Sequence, residues 1–271
     1  MKKDLFQIIE ELHKQGKDCA LCTVIQSSGS TPLKAGAKMI VSENGEIYGT
    51  IGGGDLEKSV IQNAIQIIRQ GHSELFTHNL LQQHGMCCGG KLSIFIDFLR
   101  KPDKLYIFGA GHVGRALAQI ATTLPFDIYL IDDRKIEMDK FLHAGVNKIP
   151  LSYKEILPSL PFSKGTYVAI MTRDHAMDRE ILSYCIHKNL SYLGMIGSRR
   201  KIEITKKMFL SGGICTEEEF ERIDSPMGIS IEAQSPEEIA VSILAGIIQH
   251  KNEGPFATLK NVTQINHKQN V

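Results

Sequence analysis

The feature that most constrains the fold is a glycine pattern between a short apolar run and a helical stretch. Residues 105–114 read LYIFGAGHVG, which places Gly109, Gly111 and Gly114 at the GxGxxG spacing of a dinucleotide-binding turn. Gly109 permits the tight turn, Gly111 permits close approach of a phosphate, and Gly114 lets the helix pack closely on the strand. A second apolar run ends at Asp132, the position from which an acidic side chain binds a ribose hydroxyl. The pattern predicts a Rossmann-like unit in the second half of the chain.

Apolar runs that alternate with helical stretches continue through the second half. Strands are predicted over residues 104–108, 126–131, 146–149, 166–171 and 191–196. Such alternation argues for a parallel sheet with helices on both faces, because parallel strands need crossover connections. Two further helix starts are indicated, one by the capping pattern Ser-Pro-Glu-Glu at 235–238 and one by Thr216 before three glutamates.

The first half has a different organisation. A helix is predicted over residues 3–15, followed by strands over 19–26, 38–42 and 46–50, a helix over 56–69, and strands over 73–79 and 91–99. The Asn44-Gly45 pair predicts a hairpin turn between the second and third strands. This order indicates an α+β unit with a mostly antiparallel sheet. The polar, proline-bearing residues 100–103 predict a boundary, so that an α+β domain spans 1–101 and a Rossmann-like, doubly wound parallel-sheet domain spans 102–271.

Composition limits the partners that the chain is expected to have. The formal net charge is +1 and both signs are mixed along the chain, so we expect no nucleic-acid partner. No apolar run approaches the roughly 20 residues of a membrane span, and acidic residues near the start favour an amphipathic helix over a signal peptide. Six cysteines without regular spacing do not indicate a disulfide framework, so we expect a reducing, cytoplasmic location.

A second glycine-rich stretch lies in the first half, between Ser27 and Lys58. Turns around Gly29 and at Gly52-Gly53-Gly54 flank a predicted strand pair, and the second turn opens a helix. Backbone without side chains lets amides approach a ligand, and a helix start adds a positive dipole end. This stretch is neither a Walker loop, because no Gly-Lys-Ser/Thr follows, nor a GxGxxG turn. We expect it to favour an anionic group such as a phosphate.

Polar residues follow two more strands of the predicted parallel sheet, where ligands of open α/β sheets bind. They are Arg173, Asp174 and His175 after one strand, and Gly197, Ser198 and Arg199 after another. Cationic side chains and free amides at a helix start suit a phosphate or a carboxylate. Other interpretations stay open, since Asp174 could be a plain helix cap, the cationic residues a solvated helical face, and His112 an exposed residue of the first helical turn.

The cysteines fall into two classes. Cys19 and Cys22 have CxxC spacing, but on a strand that spacing puts the side chains on opposite faces, so we interpret both as structural. Cys185 lies among apolar residues and is expected in the core, and Cys215 is expected in a loop. The run Cys87-Cys88-Gly89-Gly90 lies close to His84 and Lys91, which would lower a thiol pKa and favour a soft metal or a sulfur-transfer step. A tight turn with inert cysteines is the alternative.

Taken together, these blocks resemble the XdhC/CoxI family of molybdenum-hydroxylase accessory factors. The first half carries GSTPLKAGAKMIV, GTIGGGDLEKSV and CCGGKLSIFIDFL, and the second carries YIFGAGHVGRALA, TRDHAMDREIL, YLGMIGSRRK and SPMGISIEAQSPEEIAVSILAGII. The resemblance covers nearly the whole chain in the family's order. It implies a maturation factor, not an enzyme, which serves a xanthine dehydrogenase-type enzyme of purine catabolism. Such a factor binds the molybdenum cofactor (molybdopterin), shields it while a cysteine desulfurase exchanges a terminal oxygen for sulfur, and inserts it into the apo molybdenum hydroxylase.

The resemblance also implies which residues contact the cofactor. The family blocks fall on Ser30, Pro32, Gly36 and Met39, then on Gly52, Gly53, Gly54 and Glu57, and then on Cys88, Gly89 and Gly90. Family members often carry a cysteine after the glycine triplet, where this chain has Asp55. A thiolate contact to molybdenum from that position is unavailable, so either Cys88 or Cys87 supplies one or the cofactor is held without a protein thiolate. Asp55 could instead cap the helix that starts near Leu56.

Two other function classes stay open at this stage. The GxGxxG turn with Asp132 also suits an NAD(P)-dependent oxidoreductase, or a regulatory protein whose second domain senses a nucleotide. The sequence does not decide whether that domain binds molybdopterin, a dinucleotide or neither. A homodimer is expected only as the commonest oligomeric state.

Overall fold

The computed structural model describes residues 4–29, 34–79 and 90–252. The chain divides into two compact units, an N-terminal unit over Met1–Lys101 and a C-terminal unit over Pro102–Val271.

The N-terminal unit is built on a five-stranded antiparallel sheet. Its elements are α1 (Leu5–Lys14), β1 (Cys19–Ser28), β2 (Lys38–Ser42), β3 (Ile47–Gly49), α2 (Gly54–Gln70), β4 (Glu74–Asn79) and β5 (Lys91–Leu99). The strand order is β3-β2-β1-β5-β4, and every neighbouring pair is antiparallel. The predicted antiparallel α+β organisation is therefore confirmed.

Each face of this sheet is covered by one helix. The spacing of Leu56, Val60, Ala64 and Ile67 gives α2 an apolar stripe, which packs with Cys22 and other residues of one face. Leu12 of α1 packs with Cys19 and Ile40 in a second cluster. Since side chains alternate along a strand, the two clusters lie on opposite faces of the sheet.

The C-terminal unit has a five-stranded parallel sheet. Its elements are β6 (Asp103–Phe108), α3 (His112–Ala121), β7 (Phe126–Ile131), α4 (Lys135–Asp139), β8 (Val146–Ile149), α5 (Tyr153–Ile156), a 3₁₀ turn (Leu157–Ser159), β9 (Thr166–Ile170), α6 (His175–Cys185), β10 (Tyr192–Met195), α7 (Arg199–Ser211), α8 (Glu217–Glu221) and α9 (Pro236–Asn252). The strand order is β10-β9-β6-β7-β8 with every pair parallel. This is the Rossmann order, and it confirms the predicted fold class.

Helices cover both faces of the parallel sheet. Leu105 and Ile107 of β6 pack in a cluster with residues of α3 and α9, whereas Tyr106 and Phe108 pack in a second cluster with residues of α6 and α7. From β6 the chain first forms β7 and β8 on one side of this central strand. It then crosses over to form β9 and β10 on the other side. The carboxyl ends of β6, β7 and β9 therefore meet at the topological switch point, where ligands of this fold bind.

Several local predictions are also confirmed. Capping boxes form at Thr216 and at Ser235, where the Glu238 carboxylate accepts from the Ser235 amide at 3.0 Å. The Asn44-Gly45 turn joins β2 to β3, with Gly45 at a φ of +84°. Among the described residues, no helix combines the length and apolar character that a membrane span requires.

Candidate functional site

The GxGxxG turn forms the loop between β6 and α3, and two of its glycines are required by packing. Gly109 has a φ of +116°, and a Cβ placed there would lie 2.2 Å from the Met171 carbonyl oxygen. A Cβ at Gly114 would lie 1.9 Å from the Gly109 carbonyl oxygen. Neither position can hold a side chain unless the backbone moves, which agrees with the turn and packing roles expected of them.

The third glycine of the turn faces open space. Gly111 is the N-cap of α3, no side chain caps this helix, and a Cβ on Gly111 would meet no atom within 4 Å. The first turn of α3 begins with His112, which is exposed, and carries no acidic residue. Backbone amides of a first helical turn have no partner within the helix, so this helix start can accept a phosphate or another anion.

Asp132, the expected ribose ligand, is already engaged by protein donors. One carboxylate oxygen accepts from the Ala110 amide at 2.7 Å, and both oxygens accept from the Arg134 guanidinium, at 2.9 and 2.6 Å. Burial alone would raise the pKa of Asp132, but the hydrogen bonds from Arg134 and Ala110 outweigh it and hold the pKa below its ordinary value. Asp132 therefore holds the GxGxxG loop in place by a hydrogen bond. A ribose hydroxyl would have to compete with Arg134 for the Asp132 carboxylate.

Arg173 and Asp133 face each other at the switch point. The Arg173 guanidinium lies 3.2 Å from the Asp133 carboxylate, and both line a pocket whose walls include Phe108, Leu151 and Met177. The predicted cationic ligand Arg173 is thus at the expected place. It carries a carboxylate partner that a bound anion would have to replace.

Arg134 and Arg115 are site residues that the sequence reasoning missed. Arg115 donates to the Ala110 carbonyl oxygen at 2.8 Å and to Glu137 at 2.5 Å, which ties the GxGxxG loop to α4. Hydrogen bonds from Lys140 and Arg115 lower the pKa of Glu137 to about 2. A basic residue close after an acidic ribose-binding position is the signal that could have indicated an internal ion pair.

The predicted ligands at the ends of β9 and β10 also have local structural roles. Asp174 is the N-cap of α6 and accepts from the Ala176 amide at 2.8 Å, as its alternative interpretation expected. His175 is the first residue of α6 and is exposed. Gly197 precedes Ser198, the N-cap of α7, which makes no side-chain capping hydrogen bond, and Arg199 follows it in an exposed position.

In the N-terminal unit, a carboxylate of the chain occupies the glycine-rich turn before α2. One Glu57 oxygen accepts from the Thr50 hydroxyl at 2.5 Å and from the amides of Ile51 and Gly53 at 3.1 and 3.2 Å. Burial opposes ionisation of Glu57, but these hydrogen bonds outweigh it and lower its pKa. The amides that were expected to cradle an external anion are thus satisfied by an internal one.

The start of α2 differs from its prediction. The helix begins at Gly54 with Gly53 as the N-cap, two residues earlier than expected, because Gly53 adopts a φ of +73° that other residues avoid. Asp55 therefore lies inside the first turn and does not cap the helix. It is exposed and forms an ion pair with Lys58 at 3.1 Å.

The remaining predicted cofactor ligands of this unit are only partly described. Gly36 has a φ of +97° and donates its amide to the Val24 carbonyl oxygen, and Gly90 is buried just before β5. The others lie outside the described residues, namely Ser30, Pro32, Cys87, Cys88 and Gly89.

The structural interpretation of the other cysteines is confirmed. Cys19 and Cys22 are fully buried in clusters on opposite faces of the antiparallel sheet, and burial raises their pKa values to about 11 and about 12. Cys185 is fully buried in the core, and Cys215 is also buried, in the loop after α7. No group of three or more potential metal ligands occurs within the described ranges.

Tyr184 and Lys188 have the Tyr-x-x-x-Lys spacing of an oxidoreductase proton relay, which the sequence reasoning missed. The Lys188 ammonium lies 4.4 Å from the centroid of the Tyr184 ring. Tyr184 lies in the last turn of α6 and Lys188 lies just after that helix, whereas the GxGxxG loop and the switch point lie at the carboxyl ends of the strands, beside the N-terminus of α6. This pair is therefore not placed to serve a nucleotide on the GxGxxG loop.

Comparison with known proteins gives matches over both units. The profile of the family described as "XdhC and CoxI family" matches residues 12–79, and that of the "XdhC Rossmann domain" matches residues 105–247, more than half of the chain.

Proteins similar to the chain include two curated proteins and a solved structure. It is 34% identical over 258 residues to the uncharacterized protein YqeB of Escherichia coli, spanning 93% of this chain and 47% of YqeB, so it covers about half the length of that relative. It is 22% identical over 324 residues to a probable xanthine dehydrogenase subunit of Bacillus subtilis, spanning 89% of this chain and 96% of that protein. A crystal structure of a xanthine dehydrogenase from Bacillus halodurans, 21% identical, aligns with 93% of this chain and 98% of its own, with a TM-score of 0.49.

Proposed function

The chain belongs to the XdhC and CoxI family, and from that premise we propose that it is an accessory factor for a xanthine dehydrogenase-type molybdenum hydroxylase. It binds the molybdenum cofactor as cargo, protects it while a cysteine desulfurase installs the terminal sulfur, and delivers it to the apoenzyme in the cytoplasm. It acts as a cofactor chaperone, not as the catalyst of hydroxylation. The observation that carries the proposal is that the two family profiles match the two units in succession.

The start of α3 suits the phosphate end of this cargo. Gly111 leaves open space above a helix start that no side chain caps, and the first turn contributes no negative charge. A phosphate there would accept from the amides of the first turn and interact favourably with the helix dipole. Gly111 and His112 are the residues that would border it.

The start of α2 in the N-terminal unit, considered by itself, suits a pterin better than a phosphate. Glu57 already occupies the turn amides, and both Asp55 and Glu57 place negative charge in the first helical turn, which disfavours a phosphate. A pterin ring presents amino and ring N–H donors, which a carboxylate can accept. The exposed Asp55 carboxylate is therefore the group of this turn that would recognise the pterin.

The cysteine role stays a proposal of its own. With Asp55 in place of a cysteine after the glycine triplet, the thiolate that contacts molybdenum or its new sulfur would come from Cys88, with Cys87 as the alternative. Both the desulfurase contact and a homodimeric assembly belong to the same proposal.

A nucleotide-sensing regulator is the second candidate, and the GxGxxG geometry of the C-terminal unit favours it. An NAD(P)-dependent oxidoreductase is less well supported, since Asp132 is held by Arg134 and the Tyr184–Lys188 pair is badly placed. Calorimetric titration with NADH and NADPH separates these candidates: tight binding that leaves cofactor insertion unaffected would favour the regulator. Turnover of a substrate with the dinucleotide would favour the oxidoreductase.

Anaerobic co-expression with a molybdenum hydroxylase tests the proposed function. The protein is purified, its molybdenum is measured by mass spectrometry and its pterin by fluorescence after oxidation, and the client's activity is assayed. We expect the wild type to carry pterin and to raise client activity. Wild-type protein without pterin, together with unchanged client activity, would contradict the proposal.

Three variants locate the binding determinants. Gly111→Ala fills the open space above α3 without a clash and should lower bound pterin several-fold, whereas Gln119→Ala, exposed near the other end of α3, should match the wild type. Cys88→Ala should retain pterin but lose insertion of active, sulfurated cofactor. If Cys88→Ala keeps full cofactor content and full insertion activity, the thiolate role is wrong.

A further inference from the structure

A cluster of three ionisable residues joins the first turns of α6 and α7, at the carboxyl ends of β9 and β10. We call it the His175 cluster: it consists of His175 and Asp178 from α6 and Lys201 from α7. It is not part of the switch-point pocket, which is lined by Asp132, Asp133 and Arg173 among others. Its chemistry is therefore not accounted for by the GxGxxG loop.

Asp178 is a buried carboxylate that lacks one hydrogen bond. Its side chain is 2% exposed, and one oxygen accepts from the Thr172 amide and hydroxyl at 2.9 and 2.7 Å. Its other oxygen, Oδ2, has no hydrogen-bond partner among the described residues and lies 3.4 Å from His175 Nδ1. Burial raises the pKa of Asp178, although the Thr172 hydrogen bonds and His175 oppose the rise. A buried acceptor of this kind is destabilising unless a donor approaches it, and Nδ1 of His175 is a donor that faces it at 3.4 Å.

The contacts of His175 determine which of its nitrogens carries the proton. Lys201 Nζ lies within hydrogen-bond distance of His175 Nε2, and an ammonium can only donate. Nε2 is therefore the acceptor in this arrangement, and Nδ1 carries the proton that faces Asp178. An anion that lies between the two groups could accept from the Lys201 ammonium and, if Nε2 carries a proton, from His175 as well.

The cleft beside the cluster carries an excess of positive charge. Its polar lining is His175, Asp178, Arg179 and Lys201, with Thr205 as a neutral member, and its apolar walls include Met195 and Ile202. In the part of the chain that the structure describes, neither Arg179 nor Lys201 forms an ion pair with a carboxylate. The cleft has a volume of about 120 Å³, whereas a cavity needs only about 10–15 Å³ by the same measure to hold one water. It therefore has room for a polyatomic ion.

The adjoining helix start has the same electrostatic character. The first turn of α7 contains Lys201 and no acidic residue, and its N-cap Ser198 makes no side-chain capping hydrogen bond. The amides of this turn and the helix dipole both favour negative charge. The side chains of Arg179, Lys201 and Asp178 thus line one cleft, and Lys201 belongs to the first turn of α7.

We propose that the His175 cluster is a second ligand site, which binds a phosphate group, free or esterified, between His175 and Lys201 with uptake of one proton by His175. The arriving oxyanion separates the two cationic groups, so Nε2 of His175 becomes a donor to the anion while Nδ1 donates to Asp178. The charged groups around the imidazole are Asp178 and Arg179 on its own helix, the N-cap residue Asp174 next to it in the chain, and Lys201 on α7. This site is independent of the proposed cofactor delivery.

Calorimetry with sulfate tests proton uptake directly. Sulfate is a tetrahedral oxyanion that stays fully ionised near neutral pH, so any proton taken up on binding belongs to the protein. The full chain is titrated in two buffers of different ionisation enthalpy, and we expect observed binding heats that differ between them. Absence of sulfate binding at millimolar concentration, or identical heats in the two buffers, would overturn the proposal.

A matched pair of lysines on α7 tests the location. Lys201→Gln should weaken sulfate binding about tenfold, the loss expected of a charge-assisted contact. Lys207→Gln removes the same charge from an exposed position farther along the same helix and should leave affinity unchanged. Equal losses in the two variants would mean that only general surface charge is at work, which would also overturn the site.

Asp178→Asn and His175→Gln test the proton coupling separately from binding. Both variants should lose the buffer-dependent part of the binding heat, and a thermal melt of each confirms that it is folded. The ¹⁵N chemical shifts of the His175 ring report its tautomer, and we expect the Nδ1–H form in the wild type and loss of that preference in Asp178→Asn. Retention of the tautomer and of the proton uptake in Asp178→Asn would contradict the role given to Asp178. Parallel titrations with inorganic phosphate and adenosine monophosphate then show whether the site prefers the free ion or the ester.

Discussion

The two glycine-rich turns of this protein look alike in sequence and behave oppositely in structure. Each follows a strand and opens a helix, α2 in the N-terminal unit and α3 in the C-terminal unit. Before α2, the chain's own Glu57 carboxylate takes up the turn amides, and the first helical turn carries two acids. Before α3, the first turn has no acid and a Cβ on Gly111 would meet nothing within 4 Å.

The difference shows that glycine spacing alone does not make an anion site. Glycines free the backbone to adopt the turn, but the charges that the next helical turn supplies decide what the amides bind. In the α2 turn the Glu57 carboxylate takes the place of an external anion and accepts the hydrogen bonds of the turn amides. In the α3 turn the acid is Asp132, which follows a neighbouring strand. Its carboxylate accepts from the Ala110 amide and so stabilises the loop.

The largest loss of stability should come from substitution of Gly114, the glycine at which α3 packs closely on the β6–α3 loop. Gly114→Ala would place a Cβ 1.9 Å from a backbone oxygen, so the loop must shift, and we expect a destabilisation of about 3 kcal/mol. Gly111→Ala is the matched control in the same turn and should change the free energy of unfolding by less than about 0.5 kcal/mol. Chemical denaturation followed by circular dichroism measures both. Equal effects of the two variants would remove the distinction between packing glycine and ligand-facing glycine.

The next largest loss of stability should come from substitution of Asp132, whose carboxylate stabilises the α3 turn. Asp132→Asn keeps the shape of the side chain but leaves the Arg134 guanidinium and the Ala110 amide without a charged acceptor, so we expect a loss of about 2 kcal/mol. Asp133→Asn, one residue along and exposed, should lose less than about 0.5 kcal/mol. Since the pKa of Asp132 is lowered in the folded state, its contribution is present above the unfolded-state value of about 3.9 and is lost as the pH falls through the folded value. An Asp132→Asn variant as stable as the wild type at neutral pH would show that Arg134 does not depend on it.

A smaller effect is expected from the internal carboxylate of the α2 turn. Glu57→Gln replaces three charge-assisted hydrogen bonds by neutral ones and should lower the free energy of unfolding by about 1 kcal/mol at neutral pH. The folded-state pKa of Glu57 is lowered, so the difference from the wild type should shrink as the pH falls below the unfolded value of about 4.3. Urea denaturation at neutral and acidic pH checks this. A difference that does not depend on pH would mean that the charge of Glu57 is not what holds the loop.

The fold could be predicted well because both units carry strong local patterns. The buried run of β9 and the GxGxxG turn left few alternatives to a parallel sheet, and the Asn44-Gly45 turn determined the β2–β3 pairing. The start of α2 was missed by two residues because a glycine N-cap has no side-chain signal.

The site was less predictable because its contacts join residues that short-range patterns do not connect. The Arg134–Asp132 pair is local, yet it gives the Asp132 carboxylate a protein donor with which a ligand would have to compete, which spacing rules do not show. The Thr50–Glu57 contact and the approach of Lys201 to His175 depend on how helices start and cross, and no short-range pattern encodes either. Motifs therefore indicated which edge of the sheet carries the candidate site but not the separate roles of the residues along it.

The smallest loss of stability is expected at Asp55. It tests the comparison of the two turns most directly, because it separates the effect of charge from that of hydrogen bonds to the turn amides. Asp55 lies in the same helical turn as Glu57 but is exposed and contacts Lys58 by an ion pair. Asp55→Asn removes one negative charge from the positive end of the α2 dipole and should lower the free energy of unfolding by about 0.3 kcal/mol, an effect that high salt screens. A Glu57→Gln variant that loses no more than Asp55→Asn, in both low and high salt, would show that the α2 turn is governed by dipole and charge alone. A clear excess for Glu57 would instead confirm that specific hydrogen bonds to the turn amides are what distinguish this turn from the one before α3.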